Sequence, residues 1–577
     1  MTHTGTATPE RDLRGGALRT ARALASTALA LAALVLAMAG CGSSKSSGTS
    51  ADPATVVPAS TPIYLGAEVR PRGPLKEAAL SAGRQLTGRS EPFAGLLGAL
   101  QTPGSPPLDY GRDVEPWLGR HGAIFLSTLH GTGALGQVLL TGGQHLSYPF
   151  SSGGAQGAIV LDTSNISAAR RFVSGAASRA GAKASDYRGV SVLITSGGDA
   201  FAIVKQFVVL GSRAAVQAVI DTSLGGASLA TSDAYETLRR QAPSQALAHL
   251  YLSTAASGPA AGAAGEALGT LTGSGATLAS LAPEKGAVAV DLDVLHPQGS
   301  APLLSAAPEG AQALGGLPGE SWLALGVGNT RAALGADLGQ LGSLLGSLGG
   351  EGSSQEGSGL VPGGLGSLLK ALLTPLQALA ANTPQARADY ASWMGPTGVF
   401  AAGAGLLELR AGIVIGSSDA AGSKAAVGKL GAELKHEGAS VQPATVPGTE
   451  AAASVGLQGL PLPIVIASGR DSAGEPVFVL ALGESSVSAA LHPTSTLAGS
   501  ERATAAANAL GEGIKPSLIV EVPTLLALLE GLGLTESSSS GLMSYVRAAT
   551  MVSGGARQLN GGVERVKLVV GLGGSSG

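Results

Sequence analysis

Three histidines, His121, His130 and His145, form the densest group of the eight in the chain. Imidazoles bind metals when the donors recur at tight spacing, as in H-E-x-x-H. These three show no such spacing, so no metal site is expected from them. Asp291 and Asp293 stand two apart in "AVAVDLDVL". On a strand that spacing puts both carboxylates on one face, where a pair could share a proton in acid–base work. The alternation with Val290, Leu292 and Val294 instead reads as a half-wet strand with a solvated acidic face. "GTGALG", Gly131 to Gly136, matches G-x-G-x-x-G. A pyrophosphate site would need a strand before it and a helix after it. Strand-like segments lie on both sides, and 88 glycines in 577 residues supply the pattern by chance. It reads as a hairpin turn. "GGSSG" at 573–577 fits G-x-S-x-G, yet a nucleophile elbow needs a following helix and none is there. Trp117 and Trp393 read as packing anchors rather than ligand platforms. With no nucleophile and base at a telling spacing, no catalytic, cofactor-binding or metal residue is assigned, and a non-enzyme is expected.

Cys41 is the one cysteine, so a disulfide within the chain is impossible. Arg11, Arg14, Arg19 and Arg22 precede it, and no charge falls between Ala23 and Ser44. A basic start, an apolar run and small residues is the layout of a secretory signal. By length the run could also be a transmembrane helix. Met38-Ala39-Gly40-Cys41 resembles a bacterial lipobox, in which the thiol is acylated with palmitate or a similar chain and the leader is cut before it. Met38 departs from the usual Leu. Residues 1–40 are therefore expected to be a lipoprotein signal peptide and Cys41 the lipidation site. "GSSKSSGTSADPATVVPAST" follows, and 41–61 reads as a flexible tether. The expected location is the extracytoplasmic face of the cell membrane, held by a lipid anchor.

The balance of 36 Lys and Arg against 39 Asp and Glu gives a net charge of −3. Nucleic acid needs a basic footprint and is not an expected partner. Aromatics make up 3% of a chain that is 44% hydrophobic, so the core must be built from small aliphatics. The length exceeds what one core serves.

A tandem repeat supplies the division. "PWLGRHGAIFL" at 116–126 matches "SWMGPTGVFAA" at 392–402, setting Trp117 on Trp393 and His121 on Thr397. "GAVAVDLDVL" at 286–295 matches "GVERVKLVVG" at 562–571 at the same separation, setting Asp291 on Lys567 and Asp293 on Val569. The expected fold is α+β: two tandem pseudo-equivalent units, 62–298 and 319–572. Each is a mostly antiparallel sheet with packed helices on one face. A linker, 299–318, joins them, and 573–577 is a disordered tail. Strands are expected at 63–69, 157–163 and 288–295, and helices over "SNISAARRFVSGAASRAG" and "RAAVQAVIDTS". The Leu- and Gly-rich stretch 337–366 reads either as two helical arms about a loop or as an apolar flap.

"IYLGAEVRP", "DVEPWLG" and "FVVLGSRAAVQAVID" followed by "SLATSDAYETL" resemble an uncharacterised group of bacterial envelope proteins. That group is frequent in actinobacteria and known only as a domain of unknown function. The resemblance implies an extracytoplasmic lipoprotein and carries no activity or site residues. The expected function is non-enzymatic binding of a lipid, a hydrophobic ligand or an envelope partner. A structural or assembly factor acting through protein contacts is the alternative, and an envelope hydrolase a third.

Overall fold

The computed structural model describes residues 51–87, 107–128, 156–256, 275–295, 304, 307–328, 387–405, 408–436, 438–456, 462–531 and 546–573. Residues 1–50, with the leader and Cys41, lie outside them. So do "GTGALG", His130, His145 and the 337–366 stretch.

In chain order come β1 (Ile63–Glu68), α1 (Gly73–Thr87), β2 (Leu118–Leu126), β3 (Gly157–Thr163) and α2 (Ile166–Arg179). Next are β4 (Lys183–Tyr187), β5 (Val190–Ile194), β6 (Asp199–Val204), β7 (Phe207–Ser212), α3 (Arg213–Ser223) and α4 (Asp233–Gln241). β8 (Ala248–Leu252), β9 (Ala276–Glu284) and β10 (Ala287–Leu295) close the first half. The second half runs α5 (Pro308–Gly315), β11 (Leu323–Val327), β12 (Met394–Ala402), β13 (Arg410–Ser417), α6 (Ala420–His436), β14 (Ser440–Pro443) and β15 (Thr449–Gly456). β16 (Ile464–Arg470), β17 (Pro476–Leu482), α7 (Gly483–Leu491), α8 (Glu501–Leu510), β18 (Lys515–Glu521), α9 (Val522–Gly531), β19 (Ala549–Gln558) and β20 (Val563–Leu572) complete it. The fold is mixed α+β.

Every strand pairing is antiparallel. In the first half neighbours run β4-β5-β6-β7-β3-β2-β1-β8-β9-β10. β10 then pairs with β20 over its whole length, Ala287 opposite Gly571 through Leu295 opposite Val563. Beyond β20 the order is β19-β18-β11-β12-β13-β17-β16-β15-β14. One sheet therefore runs through both halves. It ends on β4 and β14, which are short, largely exposed and carry Lys183 and Pro443. Charge and proline on a short edge discourage further strand addition.

Helices cover both faces, not one. On one face Ala79 and Leu86 of α1, Ala169 and Val173 of α2 and Val522 and Leu526 of α9 share one buried cluster with the odd-numbered residues of β1. α6 covers the same side further along, with Val427, Leu430 and Leu434 against Trp393 and Phe478. On the other face α3 and α4 bury Val216, Ile220 and Leu238, and α5, α7 and α8 bury Leu314, Leu491 and Ala506. With both faces covered, central strands are buried along their length, as in β3, where all seven residues are buried and the first five are apolar or glycine. The one-face expectation failed because helices of both sets follow the strands at similar intervals. Alternation cannot say which side each helix takes.

Three expected boundaries also move. The tether gives way to packed chain at Ala51: Ala54, Val56 and Val57 join the core beside α3, and the Asp52 side chain caps the turn by accepting from the Ala54 N–H. The linker holds α5, whose Leu314 is buried with Leu317 just beyond it, and Leu304 is buried as well. Polar composition around these apolar residues hid them. Gly573, assigned to the tail, donates its N–H to the Ala548 carbonyl.

The solvated-face expectation for Asp291 and Asp293 is overturned too. They are 4% and 0% exposed, under α4 on the inner side of the β10–β20 seam. Arg565 of β20 donates Nε to Asp293 Oδ1 at 2.6 Å and Nη2 to Oδ2 at 2.7 Å. Its Nη2 also reaches the Gln241 carbonyl at the end of α4. The alternation was real, but its polar face meets a buried guanidinium from the other half. Arg565 Nε also lies 3.7 Å from Asp291 Oδ1, so losing Asp293 removes the bidentate partner and leaves the weaker one; breaking a buried pair costs up to about 3–5 kcal/mol. Urea unfolding of Asp293→Ala should show a loss of that order. The joint change Asp291→Asn and Asp293→Leu with Arg565→Met, which removes all three charges that meet there, should recover most of it. A single-variant loss within about 0.5 kcal/mol, the range of ordinary surface changes, would mean the pair does not hold the seam.

Candidate functional site

Trp117 sits just before β2, after a single turn at Tyr110–Val114. Asp109 caps that turn, accepting from the Arg112 N–H at 2.7 Å. The indole Nε1 donates to the Asp113 carbonyl at 2.8 Å, so the ring is fixed at both ends. It lies 4.9 Å, centroid to centroid, from Phe172 of α2. α2 starts where Asn165 accepts from the Ala168 N–H. Its spacing then puts Ala168, Arg171, Phe172, Gly175 and Arg179 on one stripe.

Between that stripe and the 107–117 segment runs an open groove of about 470 Å³. Pro107, Leu108, Pro116, Trp117 and Phe172 give it apolar walls. Three arginines rim it. Arg112 is neutralised, since Nε and Nη2 each lie 2.8 Å from an oxygen of Asp113. That pairing, with the Asp109 N–H, holds the Asp113 carboxyl down at about 2. Arg171 and Arg179 are exposed and make no ion pair among the described residues. Gly175 lets Arg179 fold back along the helix: a Cβ there would stand 3.4 Å from Arg179 Nη1. The site thus offers an apolar trough and two exposed guanidinium groups, of which Arg179 also feels the nearby Asp113 carboxylate.

The second half treats the same place differently. Trp393 also donates Nε1 to a carbonyl four residues back, that of Asp389, at 2.9 Å. There the Asp389 carboxylate crosses to Lys429 of α6 in an ion pair, and Gly422 packs close against the indole. Lys429 stands where Gly175 stands in α2, when the two helices are matched on Ser164 and Ser418, whose N–H groups bond the Trp117 and Trp393 carbonyls. The ion pair draws the turn and helix together. In the first half Asp113 turns to its neighbour Arg112, and the groove stays open.

The other sequence candidates fare unevenly. Both tryptophans are 1% exposed and are packing anchors, although Trp117 also walls the groove. His121 lies 4.0 Å from Glu68. No group of three metal-binding side chains occurs among the described residues.

Sequence reading missed one constellation. His249 Nδ1 lies 3.0 Å from Ser280 Oγ, and Ser280 faces Asp291 across β9 and β10. Pairing register alone brings them together, and no local spacing announces it. The order is wrong for acyl transfer: the serine sits in the middle and is 0% exposed, so no substrate reaches it. Burial pushes the Asp291 carboxyl up, against the pull of Arg565 and Lys567. Burial, helped by the nearby Arg239, holds the His249 imidazole down at about 3. A folded-state value below the unfolded one, about 6.5, gives stability that is present above pH 6.5 and lost as pH falls towards 3. The slope from this group is at most about 1.4 kcal/mol per pH unit. Unfolding free energies measured from pH 7 to 4 should fall less steeply for His249→Gln than for the parent. Parallel curves would contradict a buried neutral imidazole.

Over residues 21–512 the chain matches a family described as "Protein of unknown function (DUF3352)". No curated protein matches it. Among solved structures it is similar to TP0453 in crystal forms I and III, at 10% and 12% identity. Each covers 44% of this chain and 82% of that one, with a TM-score of 0.25. The chain belongs to the DUF3352 family.

Proposed function

We propose that this family member is an extracytoplasmic lipoprotein, anchored at Cys41, that binds an acidic amphiphile without chemical change. The observation that carries the reading is the Trp117 groove. Its volume of about 470 Å³ falls within the roughly 300–1,000 Å³ of small-molecule sites. Its trough is apolar, and Arg171 and Arg179 await an anion. A single-chain lipid with a carboxylate or phosphate head satisfies both ends. Ser280, which lies beside His249, is sealed in the sheet and offers no accessible nucleophile.

The reading includes two tandem equivalent units, of which the first keeps the site. Support comes from the same neighbour order in β1–β10 and β11–β20, and from the two indoles bonded to matching carbonyls. A structural factor acting by strand addition is the weaker reading, since Lys183 and Pro443 blunt the two sheet edges. The packed chain from Ala51 leaves residues 42–50 as the span between anchor and domain. No helix among the described residues is long and apolar enough to cross a membrane. The anchor therefore rests on the Cys41 leader.

Titration with a fluorescent fatty acid tests the groove. Gly175→Trp puts a ring into the trough where only the flexible Arg179 head must give way, and should weaken binding at least tenfold. Arg171→Glu with Arg179→Glu should do the same and reverse the preference for acidic over neutral chains. Saturable binding that ignores both variants would reject the groove. For the anchor, Cys41→Ala should abolish incorporation of labelled palmitate and leave thermal unfolding unchanged. A parent protein that takes no label yet sediments with membranes would make the leader a transmembrane helix.

A further inference from the structure

A second cavity, of about 130 Å³, opens on the other face of the sheet. Its floor is Gly66 of β1 beside His249 of β8, which are direct cross-strand partners. The missing side chain at Gly66 makes the room, and the Tyr64 ring folds over it: a Cβ at 66 would meet Tyr64 Oη at 2.8 Å. Tyr235 of α4 packs edge-on against Tyr64, 5.8 Å between centroids. Burial pushes both phenols up, so they stay neutral hydrogen-bonding groups. His249 is likewise neutral and is pinned by Ser280 through Nδ1. The floor and walls are therefore polar and uncharged.

Charge sits at the rim. Glu68 is matched by Arg120 and His121. Asp52 and Arg239 have no opposite charge in an ion pair among the described residues, although the Arg239 side chain hydrogen-bonds the Tyr235 phenol. Asp52 Oδ1 accepts from the Ala54 N–H at 2.9 Å and faces Tyr64 Oη at 3.5 Å. Its Oδ2 has no bond among the described residues, and Arg239 has no ion pair among them. Both line the same cavity as the two phenols. They do not form an ion pair with each other.

The second half lacks this arrangement. Ala324 takes the place of Tyr64, opposite Ile519 instead of Tyr251. There the Gly310 backbone of α5 sits directly on Gly326, where a Cβ would collide with its carbonyl oxygen. In the first half a three-residue turn, Pro53–Thr55, stands in for that helix and leaves the space.

We propose that this cavity binds a small zwitterion of the α-amino-acid class, with its carboxylate on Arg239 and its ammonium on Asp52. A lone anion or a lone cation would satisfy one rim charge and leave the other facing solvent. At about 30 Å³ per water the volume equals some four waters, which limits the ligand to a short side chain. The ring of His249 and the tyrosine edges suit a methyl or hydroxymethyl group. The site is independent of the Trp117 groove.

Calorimetric titration of the whole chain with L-alanine, D-alanine and glycine tests it, with acetate, ethylammonium and glucose as controls. At least one amino acid should bind saturably, and acetate and ethylammonium should each bind at least tenfold more weakly. Asp52→Asn keeps the turn cap and should cost at least tenfold, as should Arg239→Ala. Circular dichroism verifies the fold of each variant. Acetate binding as well as alanine with Asp52→Asn unchanged would make it an anion site and overturn the proposal. So would glucose binding with the amino acids silent, or no heat from any amino acid at 10 mM, about a hundred times a Kd of 0.1 mM.

Discussion

The β10–β20 seam is the constraint on which the rest depends. Nine cross-strand residue pairs, Ala287 to Leu295 against Gly571 to Val563, turn two sheets into one. Each of these strands would otherwise be an open edge, and a long apolar edge is an aggregation site. Joining them removes both edges and leaves only β4 and β14 at the limits of the sheet. The seam is buried on both faces, so its polar groups must be satisfied internally. Asp293, Arg565 and the Gln241 carbonyl do that, and they tie α4 of the first half to β20 of the second. In the pairing, Asp291 stands opposite Lys567 and Asp293 opposite Arg565. Acid faces base at each polar step, which favours this register over a slipped one.

A sheet covered on both faces gives each half two layers in which a cavity can form. One layer holds the Trp117 groove and the other the Gly66 cavity. Both depend on a small residue in the first half, and on bulk or an ion pair in the second. Gly175 leaves α2 without the lysine that draws α6 onto its turn. Gly66 is roofed by a tyrosine ring instead of by the backbone of α5. The two halves share a framework and diverge where side chains decide between filling and leaving space.

Much of the framework was legible in the sequence. β3 at Gly157–Thr163 and α3 at Arg213–Ser223 fall where periodicity sets them. Val427, Leu430 and Leu434 of α6 are buried as their spacing implies. What was hidden is non-local. Asp291 and Asp293 read as solvated because nothing near them in sequence names Arg565 as a partner. The hairpin between β6 and β7 turns on Lys205 at φ 51°, not on the glycine that such a turn invites. The helix over "SNISAARRFVSGAASRAG" was legible, but the groove needed the far side supplied by Pro107 to Trp117. His249 and Ser280 meet only through strand register. Charge on a strand or helix is ambiguous until the opposite element is known.

The central claim is that the first half holds an acidic amphiphile between α2 and Trp117. Native mass spectrometry of the protein purified from its own host, without detergent exchange, tests it most directly. The account predicts a bound species of lipid mass that dissociates as an anion on activation. It should be absent from protein carrying tryptophan at position 175. A bare chain from the host, or the same adduct retained when the groove is blocked, would contradict it.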